Sequence, residues 1–467
     1  MRSLKICSVL SKYLVFYKLT SHRKKNFGER LKLACQELGV TFIKIGQILS
    51  MRYDLLSEES CQSLQKLLDR VNPIALDDIF LILEEEYGKP HDNIFRKFYE
   101  QPLGSASVSQ VHKAELFDGT VVAVKIKRPF VDQYFLQDIR IMKKLARVTS
   151  ILSRTLKTIQ ITELVKFFES WILQDLDFEL EAHNMQRIKK QYSFGDERGF
   201  RSDLGKGIFI APINSLCTKN IIVMDFVDGT PMSRKREILA NPKYDIEKSI
   251  KTYINAAIRN WFRDDISTYL FQADPHLSNI LALPHGDAAN IDCGLVSELN
   301  RKEAEMCRNL IIAVYMKDIK RTVKIATEMA EIDHMKYKSI IQPDLEAYLE
   351  KTDGQGFGFW FLEFAKILVK HNIQFPLYLT TFGRTNVILD GLTKTYMPDQ
   401  TTLDIVGEEL RRQAIKYTVK SIIEVDWLKI GYSLTEKVKQ TPEIVDTFLQ
   451  NPLQFISKLS RAFQGRV

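Results

Sequence analysis

The chain has little from which to build a covalent or metal scaffold. Its six cysteines, Cys7, Cys35, Cys61, Cys217, Cys293 and Cys307, are scattered, and no two form a C-x-x-C pair. That excludes a disulfide framework and a structural zinc cage, and reads as reduced thiols in a cytosol-facing compartment. No run reaches the roughly 18–20 apolar residues that cross a bilayer. The most apolar segments, residues 220–227 and 357–369, are too short or carry charge, which argues against an integral membrane protein. Repeats and low-complexity tracts are missing, so solenoids and linker arrays are excluded. One-sided charge is missing too: 66 Lys and Arg against 58 Asp and Glu leave 66 − 58 = +8. That balance is too weak to argue for nucleic acid.

Acid is absent locally from residues 1–28, which hold Arg2, Lys5, Lys12, Lys18, Arg23, Lys24 and Lys25. Leu4, Ile6, Val9, Leu10, Tyr13, Leu14 and Tyr17 recur at spacings of mostly three and four, so this is an amphipathic helix. It either packs on the rest of the protein or lies on an anionic membrane surface with its aliphatic face in the headgroup zone. Lys12 and Lys18 interrupt any secretory signal core, while a mitochondrial presequence stays open.

Helical periodicity runs from Glu29 to about Phe98. Val108, Val111 and His112, then residues 121–125, read as two strands joined at Asp118-Gly119, a hairpin signal. Helical segments over residues 132–156 and 161–191 follow, then a strand-like stretch at 220–227. Beyond Gly229 helices prevail, broken by a loop-rich stretch from Asp274 to Val296. A small sheet in much helix predicts an α+β fold. The divisions expected are 1–28, a helical extension 29–98, an N-lobe 99–228, a C-lobe 229–345 and a helical region 346–467.

Three pieces carry chemistry. Residues 122–125 (Val-Ala-Val-Lys) put Lys125 on a buried strand. Asp274 and Asn279 stand five apart, the D-x-x-x-x-N spacing in which Asp handles the acceptor and Asn a magnesium ion. Asp292-Cys-Gly294 is a D-x-G, read as lying on a short strand, 13 residues further on; a carboxylate and an amide suit a hard dication facing phosphate oxygens. Each piece alone is ordinary: apolar strands ending in Lys are common, and Asp-Pro and Asp-x-Gly are turn chemistry. Their order, with an acidic helix between, is the kinase sequence of parts. In residues 174–184 (Gln-Asp-Leu-Asp-Phe-Glu-Leu-Glu-Ala-His-Asn), Asp177 and Glu181 share a helix face and Asp175 pairs with Glu179. Glu181 is chosen as the partner of Lys125. The G-x-G-x-x-G loop of protein kinases is lacking: residues 104–109 (Gly-Ser-Ala-Ser-Val-Ser) carry side chains, which predicts a stiffer loop. Gln272-Ala273 stands where His-Arg precedes the catalytic Asp.

Taken together, the sequence resembles the UbiB family of atypical kinases. Residues 39–47 (Gly-Val-Thr-Phe-Ile-Lys-Ile-Gly-Gln) are similar to its K-x-G-Q signature, continued by residues 50–56. Residues 102–114 are similar to its alanine-rich nucleotide loop, 177–184 to its acidic helix, 271–279 and 292–294 to its metal-site motifs, and, more weakly, Arg384 to Gly391 to its C-terminal segment. The resemblance implies a bilobal protein-kinase-like fold with an N-terminal helical extension crossing the cleft and a helix-rich C-terminal region. It also implies ATP and Mg²⁺ as cofactors, and Lys44 and Gln47 placed over the cleft in a way that opposes protein phosphorylation. Lys125 is expected to hold the α- and β-phosphates, Glu181 to orient it, Asn279 and Asp292 to bind the metal, and Asp274 to position the acceptor hydroxyl or water. Gly104, Ser105, Ala106, Ser107, Val108 and Met224 complete the candidate nucleotide contacts. Two positions depart: the family's E-x-D is Asp175-x-Asp177, one methylene shorter, and Cys293 replaces the Phe of D-F-G.

The expected function is Mg-ATP-dependent catalysis supporting ubiquinone or related isoprenoid-lipid synthesis. Its expected partners are quinone precursors or lipid-modifying enzymes, at the periphery of an inner or organellar membrane and without nucleic acid. Two other readings stay open: a small-molecule kinase of the aminoglycoside or choline type, which does not predict Lys44–Gln47, and a nucleotide-binding scaffold without turnover.

Overall fold

A β-hairpin closed by Asp118-Gly119 organises the first half of the chain. In the computed structural model Gly119 takes φ +87°, a left-handed turn conformation that glycine adopts at low cost, and the Asp118 carboxylate accepts from Thr120 N at 2.8 Å. The structure describes residues 2–16, 26–50, 56–67, 72–152, 161–193, 207–263, 265–329, 343–344, 347–348, 356–371, 376–408 and 410–411. Residues 1–407 form one compact unit and residues 408–467 a second. The first unit is described below. Residues 51–55 of the extended K-x-G-Q motif lie outside the described residues.

Among the described residues, five α-helices come first: α1 (Arg2–Leu10), α2 (Phe27–Leu38), α3 (Val40–Leu49), α4 (Glu58–Gln65) and α5 (Leu76–Tyr87). Strands β1 (Phe95–Ser105), β2 (Ser109–Leu116), β3 (Val121–Lys127) and β5 (Ile221–Asp225) make an antiparallel sheet in the order β1-β2-β3-β5. Residues 95–98, expected as the end of a helical run, open β1 instead: Phe95 pairs with Leu116 and Phe98 with Ala114. Pairing across the sheet overrides the local helical pattern there.

Alternation along β3 gives the sheet two working faces. Val122, Val124 and Ile126 are fully buried and pack with Ile221 and Val223 against Ile79 and Leu83 of α5. At about 1.5–3 kcal/mol per buried aliphatic side chain, that face fixes the strand. Ala123 and Lys125 point the other way, toward a core shared with Val108, Met224 and helices α6 (Val131–Leu152), α7 (Ile161–Leu176) and α8 (Phe178–Ser193). Residues 161–191, expected as one helix, are two, split at Asp177. Its Oδ1 accepts from Leu180 N at 2.9 Å, so Asp177 is an N-cap with Glu179 and Glu181 in the first turn. Acids at a helix start answer the positive dipole end; the acidic run marks a helix boundary.

The second lobe holds β4 (Gly207–Phe209), β6 (Thr230–Pro231), β8 (Ile280–Ala282) and β9 (Ala288–Asn290) in the order β4-β9-β8-β6, and a ribbon of β7 (Thr268–Gln272) with β10 (Val296–Asn300). The stretch 274–296, expected as loop-rich, therefore carries strands, and Asp292 sits in the turn between β9 and β10 rather than on a strand. Helices α9 (Lys235–Leu239), α10 (Ile246–Trp261), α11 (Arg301–Tyr315), α12 (Ile319–Met329), α13 (Phe357–Lys370) and α14 (Leu377–Tyr396) surround them.

The N-terminal helix turns Ile6 and Val9 inward, onto a core with Ala34, Leu38 and Phe42. Arg2 grips the buried Asp138 of α6 through two bonds of 2.6 Å. Of the two expectations for this segment, the packed helix is the arrangement seen. Leu4, Val15 and Phe16 remain exposed.

Helices α13 and α14 cross at glycines. A Cβ on Gly358 would meet the Asn386 backbone at 2.5 Å, which no rotamer relieves. Gly358→Ala is expected to destabilise the protein by about 1–3 kcal/mol through overpacking, measured by urea unfolding; an unchanged midpoint would contradict this helix contact.

Candidate active site

Lys125 stands inside β3, its ammonium 2.6 Å from Glu181 Oε1. Glu181 lies one turn into α8 and is 2% exposed, so the Asp177 cap that starts the helix also sets where this carboxylate points. Burial works against the Lys125 charge, but Glu181, Asp292 and Asp175 hold its pKa above the ordinary value. Burial, against the pull of Lys125, pushes Glu181 up to about 7.

Lys44 of α3 makes a second ion pair at 3.0 Å with Asp175, in the last turn of α7. The methylene lost in the family's E-x-D position does not break this contact. The helix bearing K-x-G-Q is thus tied by charge to the segment that leads into α8. Gln47 is half-buried on α3 and enters none of the hydrogen bonds of this cluster.

Asp292 is held from three sides. Its Oδ1 accepts from Gly294 N at 2.8 Å and its Oδ2 from Asn279 Nδ2 at 2.9 Å. Its backbone carbonyl accepts from Gln272 Nε2 at 2.7 Å and Asn290 Nδ2 at 2.9 Å. Two buried amides thus orient the D-x-G turn where Cys293 supplies no aromatic ring. Gly294 leaves room for the carboxylates: a Cβ there would lie 3.2 Å from Asp292 Oδ1, 3.6 Å from Asp175 Oδ1 and 3.7 Å from Glu181 Oε2. Despite burial, Lys125 and the Gly294 amide keep Asp292 below its usual range.

Asp274 follows β7 and pairs through Oδ1 with Arg384 of α14 at 2.7 Å; His276 lies 3.6 Å from its other oxygen. Against burial, Arg384 first and then His276 and Lys44 hold Asp274 below its ordinary value. Arg384 lies 4.4 Å over the Trp171 ring, and its buried Nε and Nη1 have no acceptor among the described residues. A desolvated guanidinium left partly unbonded is costly, so its pairing with Asp274 is a strong local constraint.

The nucleotide-loop candidates are tied down. Arg128 donates to Ala106 O at 2.7 Å, Ser105 Oγ at 2.6 Å and Asn72 O at 2.9 Å. Ser107 and Val108 are buried and Gly104 is exposed. Met224 lies beside Ala123 in the β3–β5 register.

Lys44, Lys125, Asp175, Glu181, Asp274, Asn279 and Asp292 thus share one electrostatic neighbourhood, while Asp177 serves as a cap. The sequence reading gave no task to Asn290 or Trp171, which carry no motif signal. It noted Gln272 only as a substitution for His, and Arg384 only as the edge of a weak motif.

Asn279 and Asp292 side by side offer hard oxygen donors of the kind Mg²⁺ takes. Among the described residues no three His, Cys, Asp or Glu side chains form a ready metal cage, so an ion here would complete its shell with phosphate oxygens and water. The donor chemistry fits Mg²⁺ bound together with a nucleotide.

A strand lysine clamped by a helix glutamate, near an Asn–Asp pair and a separate Asp, defines a kinase-like fold. Comparison with known proteins agrees: the profile of the ABC1 atypical kinase-like domain matches residues 66–326. The chain belongs to this family, that of the UbiB atypical kinases. It is 27% identical over 485 residues to the probable protein kinase UbiB of Actinobacillus pleuropneumoniae serotype 5b, covering 98% of this chain and 85% of that one. It is 28% identical over 477 residues to that of Shewanella halifaxensis (95% and 83%) and 30% over 398 residues to that of Shewanella piezotolerans (82% and 69%). A solved complex of Mycobacterium tuberculosis Rv3197 with erythromycin is 21% identical, with a TM-score of 0.47, covering 76% of this chain and 91% of that one.

Because Asp274 is depressed, its ion pair contributes stability above about pH 4, its unfolded value, and loses it as pH falls. Arg384→Met leaves a buried carboxylate alone, at a cost of about 3 kcal/mol near neutrality. The deficit relative to wild type should shrink as pH falls below about 4, toward the depressed folded value; an equal deficit at pH 7 and pH 3 in urea unfolding would refute the charge assignment.

Proposed function

We propose that this protein is a Mg-ATP-dependent atypical kinase or ATPase that supports isoprenoid-quinone lipid synthesis at a membrane surface. The observation that carries the catalytic part is the convergence of the Lys125–Glu181 and Asn279–Asp292 pairs, with Asp292 close enough to act on the Lys125 charge. Mg²⁺, when bound with ATP, supplies charge neutralisation of the phosphates.

The rest is done by the chain. Lys125, held by Glu181, presents its ammonium to the nucleotide phosphates. Asn279 and Asp292 offer the metal its oxygens, the latter aimed by Gln272, Asn290 and Gly294. Asp274, fixed by Arg384, is ionised and orients the acceptor hydroxyl or a water without being a strong base. Phosphoryl transfer asks little covalent chemistry of the protein, so a weak, well-placed carboxylate is sufficient. Lys44, paired with Asp175, holds α3 against the same cluster, which favours a small or lipid acceptor over a folded protein.

The lipid part rests on the family resemblance. No described helix is long and apolar enough to cross a membrane. Exposed Leu4, Val15 and Phe16 beside Lys5 and Lys12 support surface contact.

Phosphate release from ATP, and mass spectrometry of products with a polyprenyl-phenol added, test this reading. Wild type should turn over ATP and Asp292→Asn should lose at least about a hundredfold, in line with removing a preorganised charged group; equal turnover would sink the assignment. Gln272→Ala should raise the Mg²⁺ needed for half-maximal turnover about tenfold, as expected for loss of an orienting partner, with the melting temperature little changed.

A further inference from the structure

A cavity of about 230 Å³ adjoins the α7–α8 break and is used by none of the chemistry above. Lys127 and Leu136 line it, with Leu173, Leu176 and Phe178 as an apolar wall and Lys219 contributing a second ammonium. Lys127 follows Lys125 by two residues, so the two share a face of β3. It is only 8% exposed and is ion-paired with Asp132 at 3.6 Å, a separation longer than a good hydrogen bond. Both ammoniums lie over one ring: Phe178 is 5.1 Å from Lys127 Nζ and 5.4 Å from Lys125 Nζ. A nearly buried ammonium retains hydrogen-bonding capacity that burial makes costly to leave unused.

The acids around the cavity do not cancel this pull. Asp177 is occupied in capping Leu180 N, Asp132 is 48% exposed and can turn to water, and Glu179 is exposed. The volume lies below the roughly 300–1,000 Å³ of drug-sized pockets, which restricts the occupant to a small molecule.

We infer that this cavity is an effector site for a small amphipathic acid, its carboxylate or phosphate on Lys127 and its short apolar body against Leu173, Leu176 and Phe178. The regulatory part rests on the catalytic reading above; the binding part does not. Phe178 is the first residue of α8, three before Glu181, and Asp175 lies in the last turn of α7, two residues before the break at Asp177. A ligand seated there braces the junction that positions both the Lys125–Glu181 and the Lys44–Asp175 pairs, and so changes the KM for ATP.

Calorimetry on the full chain with octanoate, octyl phosphate and octylamine tests the site, with ATP turnover followed in parallel. Saturable binding of an acid and none of octylamine is expected, the better acid telling a carboxylate from a phosphate source. Lys127→Met should weaken binding by about tenfold or more, the loss of one charge-assisted bond. Leu173→Glu, a change at a half-exposed position, should do the same, and keeps the test alive if the lysine variant misfolds. Undiminished binding in both variants, or octylamine binding as tightly as the acids, would overturn the site. Acid binding lost in the variants, with no ATP turnover under any condition, would leave the site standing and overturn the catalytic reading instead.

Discussion

The ion pair between Lys125 and Glu181 is the constraint on which the rest depends. Its lysine is delivered by a strand whose other face is locked into a hydrophobic core, and its glutamate by a helix whose start is fixed by a capping aspartate. Glu181 is nearly fully buried and Lys125 largely so, so removing either partner leaves a costly charge behind. Any shift in the register of β3 or in the start of α8 would leave a buried charge alone. The sheet, the α7–α8 break and the packing of Phe178 are therefore coupled to one salt bridge of 2.6 Å.

Around that pair, a chain that lacks the usual kinase furniture reaches similar ends by other means. Where a glycine-rich loop would flex, Arg128 ties Ser105 and Ala106 into place. Where a phenylalanine would orient the metal-site aspartate, the amides of Gln272 and Asn290 converge on its carbonyl. Hydrogen bonds to a backbone oxygen set direction more narrowly than an apolar contact does, which suits a site held in one conformation. Arg384 does the corresponding work for Asp274 from a helix more than a hundred residues downstream.

Much of this was legible in the chain. The hairpin announced itself through Asp118-Gly119 and flanking alternation, and the pairing of Lys125 with Glu181 followed from motif order. The misreadings share a cause. Residues 95–98 have a helical apolar pattern yet become strand because β2 offers an edge to pair with. Asp177 is expected inside one continuous helix, sharing a face with Glu181, because a cap and a helix interior look alike until the chain direction on both sides is known. The short strands β8 and β9 escaped notice since three-residue strands carry almost no periodicity and exist through their partners.

The sequence by itself determined the kinase-like class, the order of its parts and the identities of Lys125, Asp274, Asn279 and Asp292, because these depend on local spacing and residue chemistry. Only the tertiary structure decided that Asp175 still reaches Lys44, that Arg384 grips Asp274, and that Asn290 aims Asp292. Those contacts join residues whose separation along the chain carries no pattern, and a distance of about 3 Å between them exists only once the intervening helices have packed.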